Sequence, residues 1–493
     1  MKKLFFLVFG ALCLLIASCS KDSGFYPGSD PSLALSKGYP AHGPVVVVPP
    51  NKDGDDDGDT DDLMAAINSA EPGTVIKLTE GTYEVGLIEL FGFEGQIVGS
   101  GRDKTIIYPA GLIAVRPQSD DRNLLPCWWR IIGGDVIISD LTFKTGDGIL
   151  ISDVDLYYNR VLASLLVINN YDEDFQKENP KFMNFTIRNV NFVGGKLDPA
   201  DGYLGADFNV LMPLWIGMAY WWPPVDGIVL TKGNYKVVNC YFEHCYQGPE
   251  FFSLGEDAIG TIDRIKVNNC GYGLACLANY NTRINITNSS FTNSLTQDIW
   301  IDDADWGLIT NITPFKRCQY TLSDNVFNSL PGVLSLVVND SWGLTKPDIY
   351  QPSLSIIKNN LFRLSDGGTG ISITNNIDGI IRNNRFIGTG SVGVYVDGAA
   401  VPDPVTFELL GPGVAKNALI LGNNFTGLNP ATADIVLGEN SMDCTVVGIG
   451  KESVIDNGTN NAVVGMKRKT GGNHSGPTIR DNFRMWHGRR HNK

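Results

Sequence analysis

One eight-residue spacing returns along most of this chain and leaves few folds open to it. Counting back from an aromatic residue, positions −7 and −5 are apolar, −3 is Asn or Asp, and position 0 is Phe or Tyr. VIISDLTF ends at Phe143, FTIRNVNF at Phe192, YKVVNCYF at Phe242, IKVNNCGY at Tyr272 and INITNSSF at Phe291. YTLSDNVF follows at Phe327, SIIKNNLF at Phe362 and GIIRNNRF at Phe386, with a drifted ninth copy carrying Gly422 before Phe425. Period-2 alternation closed by Asn predicts a short strand whose −7 and −5 side chains face inward and whose Asn turns the chain.

A second apolar run follows each aromatic and usually opens with Gly, as in GILIS at 148, GIVLT at 227, GLACL at 273, GVLSL at 332, GISIT at 370 and GVYVD at 393. DIWID at 298 and DIVLG at 434 take the same place. Two or more short strands per repeat with no helical pattern between them exclude a βαβ sheet. They suit a solenoid in which each coil pairs only with its neighbours. Intervals between aromatics run from 19 to 50 residues, so some coils carry long insertions or hide a degenerate coil. In the second strands Leu274/Cys276, Ile299/Ile301, Ile371/Ile373 and Val394/Val396 are the inward pairs, and the alternate residues are expected to face solvent.

This pattern resembles the right-handed parallel β-helix of the pectin-lyase-like superfamily over roughly residues 60 to 465. The resemblance implies an all-β fold, a single-stranded right-handed parallel β-helix with an N-terminal capping helix. It also implies an inward asparagine ladder, here Asn189, Asn239, Asn269, Asn288, Asn359 and Asn383, with Cys240 and Cys270 sharing one position of the template. It says little about activity, because lyases, hydrolases, esterases, epimerases and phage adhesins share the architecture.

The chain opens MKKLFFLVFGALCLLIAS, two lysines before an apolar run too short to span a bilayer, which reads as an export signal over residues 1–18. LLIASC resembles a bacterial lipobox, implying lipidation of Cys19, attachment to the outer membrane and display at the cell surface. Losing Lys2 and Lys3 takes the 39 basic residues to 37 against 53 acidic ones, a net charge of −16, which argues against a nucleic-acid partner. Seven cysteines remain beyond Cys19, an odd number for an oxidising compartment, and Cys240, Cys245, Cys270 and Cys276 read as stacked core thiols.

Between signal and repeats lies DGDDDGDTDD, residues 53 to 62. Asp53, Asp55, Asp57 and Gly58 match the start of a calcium loop, so Ca2+ is the one cofactor the sequence raises. The twelfth position holds Met64 where a bidentate carboxylate belongs. A solvated spacer ranks above that reading, with Asp61 and Asp62 at the start of a helix that presents Leu63, Ala66, Ile67 and Ala70 on one face. The expected organisation is therefore a tether over 19–59, the β-helix over 60–465 and a basic C-terminal tail over 466–493. The whole is expected to be a monomer.

Chemistry is expected on the outward side of the second strands, where stacked coils line up carboxylates, amides and aromatics suited to a polysaccharide. DIWIDDADWG is its densest point. The candidate acid/base residues are Asp302 and Asp303, with Asp305, Glu256 and Asp257 in reserve. Trp300, Trp306, Trp342, Asn279, Asn339, Asn375, Tyr395 and Asp397 are expected to hold sugar. Asp302 and Asp303 resemble the adjacent aspartates of polygalacturonases, and Arg264-Ile265-Lys266 spells the RIK of that family. Here, though, RIK precedes the acid pair and no GHG motif exists, so that family's site is not carried over. Carboxylates one or two coils apart bracket the separations used by glycosidases. Lyase chemistry ranks below hydrolysis, because Lys232 is the one outward base on these strands. A glycan-binding protein without catalysis is the alternative.

Overall fold

The computed structural model describes residues 43–51, 58–109, 127–145, 163–169, 182–194, 211–217, 232–302 (without 253, 256, 278 and 280), 318–339, 353–402 (without 377), 409–410, 413–448, 453–465 and 467–469. Each full coil contributes three parallel strands, illustrated by Ile259–Asp263, Lys266–Asn268 and Ala275–Leu277. The first two belong to a 23-stranded sheet and the third to a 13-stranded sheet. The strands of both sheets pair in parallel with their equivalents one coil on: Ile259 with Arg283, Lys266 with Ser290, Ala275 with Trp300. The chain is a right-handed parallel β-helix whose apolar core fills the space between the faces.

Two residues make the corner between the first and second strands. One takes the left-handed conformation: Asp140 (φ 60°), Asn189 (54°), Asn239 (51°), Arg264 (54°), Asn288 (52°), Asp324 (61°), Asn359 (58°), Asn383 (55°) and Gly422 (61°). Asn and Asp tolerate that region better than other residues with a Cβ, which explains the −3 position of the template. These residues are exposed or half-buried, so the inward ladder expected at Asn189, Asn239, Asn288, Asn359 and Asn383 is not theirs. It belongs to the next residue in the chain. Asn325, Asn360, Asn384 and Asn423 are buried, and the backbone N–H and Nδ2 of each of the first three donate to the Oδ1 of the next at 2.9–3.0 Å. The left-handed residue turns its successor inward, where a side chain with both donor and acceptor satisfies the corner's backbone.

The aromatic at position 0 stacks through the core. Phe143, Phe192 and Phe242 lie 5.5 and 4.9 Å apart, and Phe291, Phe327, Phe362, Phe386 and Phe425 continue at 4.5–5.3 Å. Between Phe242 and Phe291 the column holds Val267. Tyr272 is therefore not the aromatic of that coil. Asn269 (φ 50°) stands instead at the following corner, with His244 (φ 53°) and Asn293 (φ 56°). The same shift separates Cys240, a neighbour of Ile265, from Cys270, a neighbour of Cys245.

The helix Gly58–Asn68 covers the first coil with Leu63, Ala66 and Ile67 buried. Asp61 and Asp62 are exposed in its first turn, while Asp59 is buried and accepts from the backbone N–H of Asn51 and of Glu84, the latter at 2.9 Å. Val45–Val48, inside the span assigned above to the tether, is a strand paired in parallel with Thr74–Leu78. At the other end, Lys467–Lys469, placed above in the tail, pairs with Ser453–Asp456. Among the described residues no helix is long and apolar enough to cross a membrane. Cys19, Asp53, Asp55 and Asp57 lie outside the described residues.

Candidate active site

The third strand of each coil opens with a kink that determines which residues leave the core. Gly248, Gly273, Gly370 and Gly393 stand at this point, and a Cβ on Gly273 would meet the carbonyl oxygen of Asp298 at 2.1 Å. Coils approach too closely there for most side chains, which is why the runs at 273, 370 and 393 open with Gly, whereas Gly332 stands three residues before this point with open space around it. Asp298 occupies the same place and turns inward, fully buried, accepting from Ser329 Oγ at 2.9 Å. Burial raises its carboxyl to about 6, against hydrogen bonds from Ser294, Ser329 and Ser335.

Beyond the kink, outward side chains form columns along the solenoid. Trp215, Glu250, Ala275, Trp300, Val337, Ser372 and Tyr395 make one. Phe252, Leu277, Asp302, Asn339, Thr374 and Asp397 make the next. The register thus brings Trp300, Asp302, Asn339, Tyr395 and Asp397 onto one flank. Their expected exposure is corrected, because Asp302, Asn339 and Thr374 are only 2–3 % exposed. Period-2 alternation assigns a side chain to a face without saying whether that face meets water.

Several expected contact residues are committed to the fold. Asn279 is buried at a corner, accepting from Leu254 N at 3.0 Å and donating to Phe251 O and the Tyr320 hydroxyl. Asn375 (φ 55°) donates to Asn339 Oδ1 at 3.2 Å and accepts from Ala399 N at 2.8 Å. Asp397 accepts from the backbone of Gly398 and Asn440 and from the Tyr395 hydroxyl at 2.8–2.9 Å. Burial and the Asp397 carboxylate push the Tyr395 phenol well up. Asp257 (φ 68°) is an exposed turn residue that accepts from Asn281 Nδ2 at 3.1 Å. Glu256, Asp303, Asp305, Trp306 and Trp342 lie outside the described residues.

The group with the most distinctive chemistry is one that residue patterning passed over. Glu250 opens the three-residue strand Glu250–Phe252 and is 2 % exposed, with Gln247 Nε2 donating to its Oε2. Burial raises its carboxyl to about 8, partly offset by Gln247, so near pH 7 the protonated form leads by roughly ten to one. Glu250, Ala275 and Trp300 share one column, with the fully buried Ala275 standing one coil from the carboxyl and one coil from the indole. Tyr272 borders it, its ring 5.8 Å from Trp300 at 27° and 5.7 Å from Tyr246. Gln297 lies beside it with a buried Oε1 that has no hydrogen-bond partner. Asp302 stands two coils and two residues from Glu250, roughly 12 Å between Cα atoms at about 4.8 Å per coil and 3.3 Å per residue. The sequence did carry a signal for Glu250. It precedes Ala275 by one 25-residue coil, and Ala275 precedes Trp300 by another.

No family model matches the chain, and no curated protein matches its sequence. Solved structures do resemble it. The A-module of mannuronan C-5 epimerase AlgE4 from Azotobacter vinelandii aligns at 14 % identity and a TM-score of 0.35, covering 84 % of this chain and 94 % of that one. A family 28 exopolygalacturonase from Yersinia enterocolitica aligns at 11 % and 0.41, covering 87 % and 76 %. A mannuronic acid specific polysaccharide family 6 lyase from human gut microbiota aligns at 13 % and 0.40, covering 89 % of each.

Proposed function

We propose that the protein is a polysaccharide hydrolase, exported and held at the outer membrane by lipid on Cys19 and facing the cell exterior. One observation carries the hydrolytic reading: Glu250, whose carboxyl burial raises to about 8, shares its column with the partly exposed Trp300, which stacks on Tyr272. A sugar ring stacks on an aromatic face while its hydroxyls meet polar side chains, here Gln297 and Gln247. Glu250 gives its proton to the glycosidic oxygen as the bond from the anomeric carbon breaks. The Asp302 carboxylate takes a proton from the water that attacks that carbon, and a new reducing end leaves. For inverting hydrolysis, with the water between them, the two side chains have to lean together from a Cα separation of roughly 12 Å to about 6.5–9.5 Å between carboxyls. Glu250 thereby replaces Asp303, and with it Asp305, Glu256 and Asp257, as the acid.

A polysaccharide panel tests this directly. New reducing ends support hydrolysis, absorbance of an unsaturated uronide would mean a lyase, and retention without products would mean a binding protein. In the hydrolase, Glu250→Gln and Asp302→Asn should each lower kcat/KM by about 10²–10⁴-fold. Equal turnover by Glu250→Gln would remove Glu250 from the mechanism. For the anchor, labelled fatty acid should enter the wild type and not Cys19→Ala.

A further inference from the structure

We propose that Cys245 and Cys270 join in a disulfide when the chain folds in an oxidising medium, linking two successive coils directly below the candidate site. The two residues occupy equivalent places. Each follows a left-handed residue, His244 (φ 53°) and Asn269 (φ 50°), so both side chains leave their corners in the same sense. The strands just before them are paired in register, Glu243 with Asn268, and Gly271 N donates to Cys245 O at 3.1 Å. Adjacent coils lie about 4.8 Å apart, inside the Cα range of about 4.4–6.8 Å that disulfides span. Each thiol donates to the carbonyl two residues back, Cys245 to Glu243 at 3.3 Å and Cys270 to Asn268 at 3.6 Å, so the two sulfurs are held in parallel.

Among the described residues no other cysteines stand in this relation at a corner. Cys240 lies one corner earlier, in the column of Ile265 and Ser289. Both sulfurs are buried as thiols, and burial together with the neighbouring Cys270 holds the Cys245 thiol well above its ordinary range. Little thiolate forms once the corner has closed, so the bond belongs to the folding chain. Cys245 attacks a small-molecule disulfide or an oxidised dithiol of a folding catalyst and expels one thiol. The Cys270 thiolate then attacks the Cys245 sulfur and expels the second. Each cysteine loses a proton, and the oxidant takes up the two electrons as its disulfide becomes two thiols.

The consequence for the site is positional. Cys245 is followed by Tyr246, Gln247 and Glu250, and Cys270 by Tyr272 and Ala275, so one covalent bond would pin the coil that carries Glu250 to the next. The test compares the full chain produced in a host with an oxidising folding compartment and in one with a reducing cytosol. Both preparations are alkylated in denaturant and mapped by mass spectrometry. The oxidised preparation should give one linked peptide pair carrying Cys245 and Cys270, lighter by two hydrogens than the separate peptides. Its Tm should be about 3 °C higher, as expected for a loop of one coil in a chain of this size. Cys245→Ser should leave Cys270 fully alkylated and cancel the Tm difference. Full alkylation of both residues in the oxidised wild type, or linkage of either to another cysteine, would overturn the proposal.

Discussion

At the scale of single residues, Glu250 makes a prediction about stability as well as turnover. Its carboxyl titrates near 8 in the fold against an ordinary 4.5, with burial as the leading cause. The native state therefore holds a proton that the unfolded chain releases between those values. Stability from this group is full below pH 4.5, declines as pH rises toward 8 and is level above that. The span corresponds to a few kcal/mol at most, roughly 1.4 per pH unit. Denaturant titrations of the wild type and Glu250→Gln between pH 5 and 9 should show the wild type losing ground to the amide as pH rises. A constant difference would mean that Glu250 ionises freely. The alkaline limb of any catalytic profile should fall near pH 8 and disappear with the same substitution.

Elements depend on how corners are built, and here the two neighbouring asparagines of the SIIKNNLF type separate cleanly. Asn384 satisfies the backbone and side chain of Asn360 while donating to Ile357 O at 3.0 Å and to Asn423 Oδ1 at 3.0 Å. Asn384→Ala leaves several buried groups unpaired and should cost about 2–4 kcal/mol by chemical denaturation. Asn383→Gly keeps an exposed left-handed corner and should change stability by under about 1 kcal/mol. Equal effects would contradict the assignment of the ladder to the inner residue. The spacing of Asn and Phe made these coils legible in sequence, because left-handed corners and stacked rings select residue types. What escaped was the coil that departs from the rule. Arg264 and Val267 replace the usual Asn and Phe, so the pattern slid to Asn269 and Tyr272. The short strand Glu250–Phe252 escaped because Pro249 and Glu250 follow its opening Gly248 where apolar residues are usual. Exposure of the outward face was equally illegible, since it depends on what packs over a strand and not on the strand itself.

For the whole molecule, stability is a sum over contacts between neighbouring coils, and the first coil has a neighbour on one side only. The helix Gly58–Asn68 covers it, tied down by the Asp59 carboxylate. Asp59→Ala removes acceptors from the backbone of Asn51 and Glu84 and should cost about 1–3 kcal/mol. Deleting residues 43–68 bares Ile76, Leu78 and Tyr83 together with an unpaired strand edge. Light scattering should show concentration-dependent association beyond that of the full-length chain. A truncated chain that associates no more than the full-length one would show that the helix does not guard this end. The two-residue corner described above has one more consequence. From Asp140 to Gly422 it keeps its length in all nine coils, whereas the coil before them has six residues there, so between Asp140 and Gly422 the differences in coil length fall outside this corner and toward the two that bracket the 13-stranded sheet. A lineage carrying this scaffold can therefore remodel what surrounds its ligand flank by lengthening or trimming connections, while the opposite flank and the interior stay untouched.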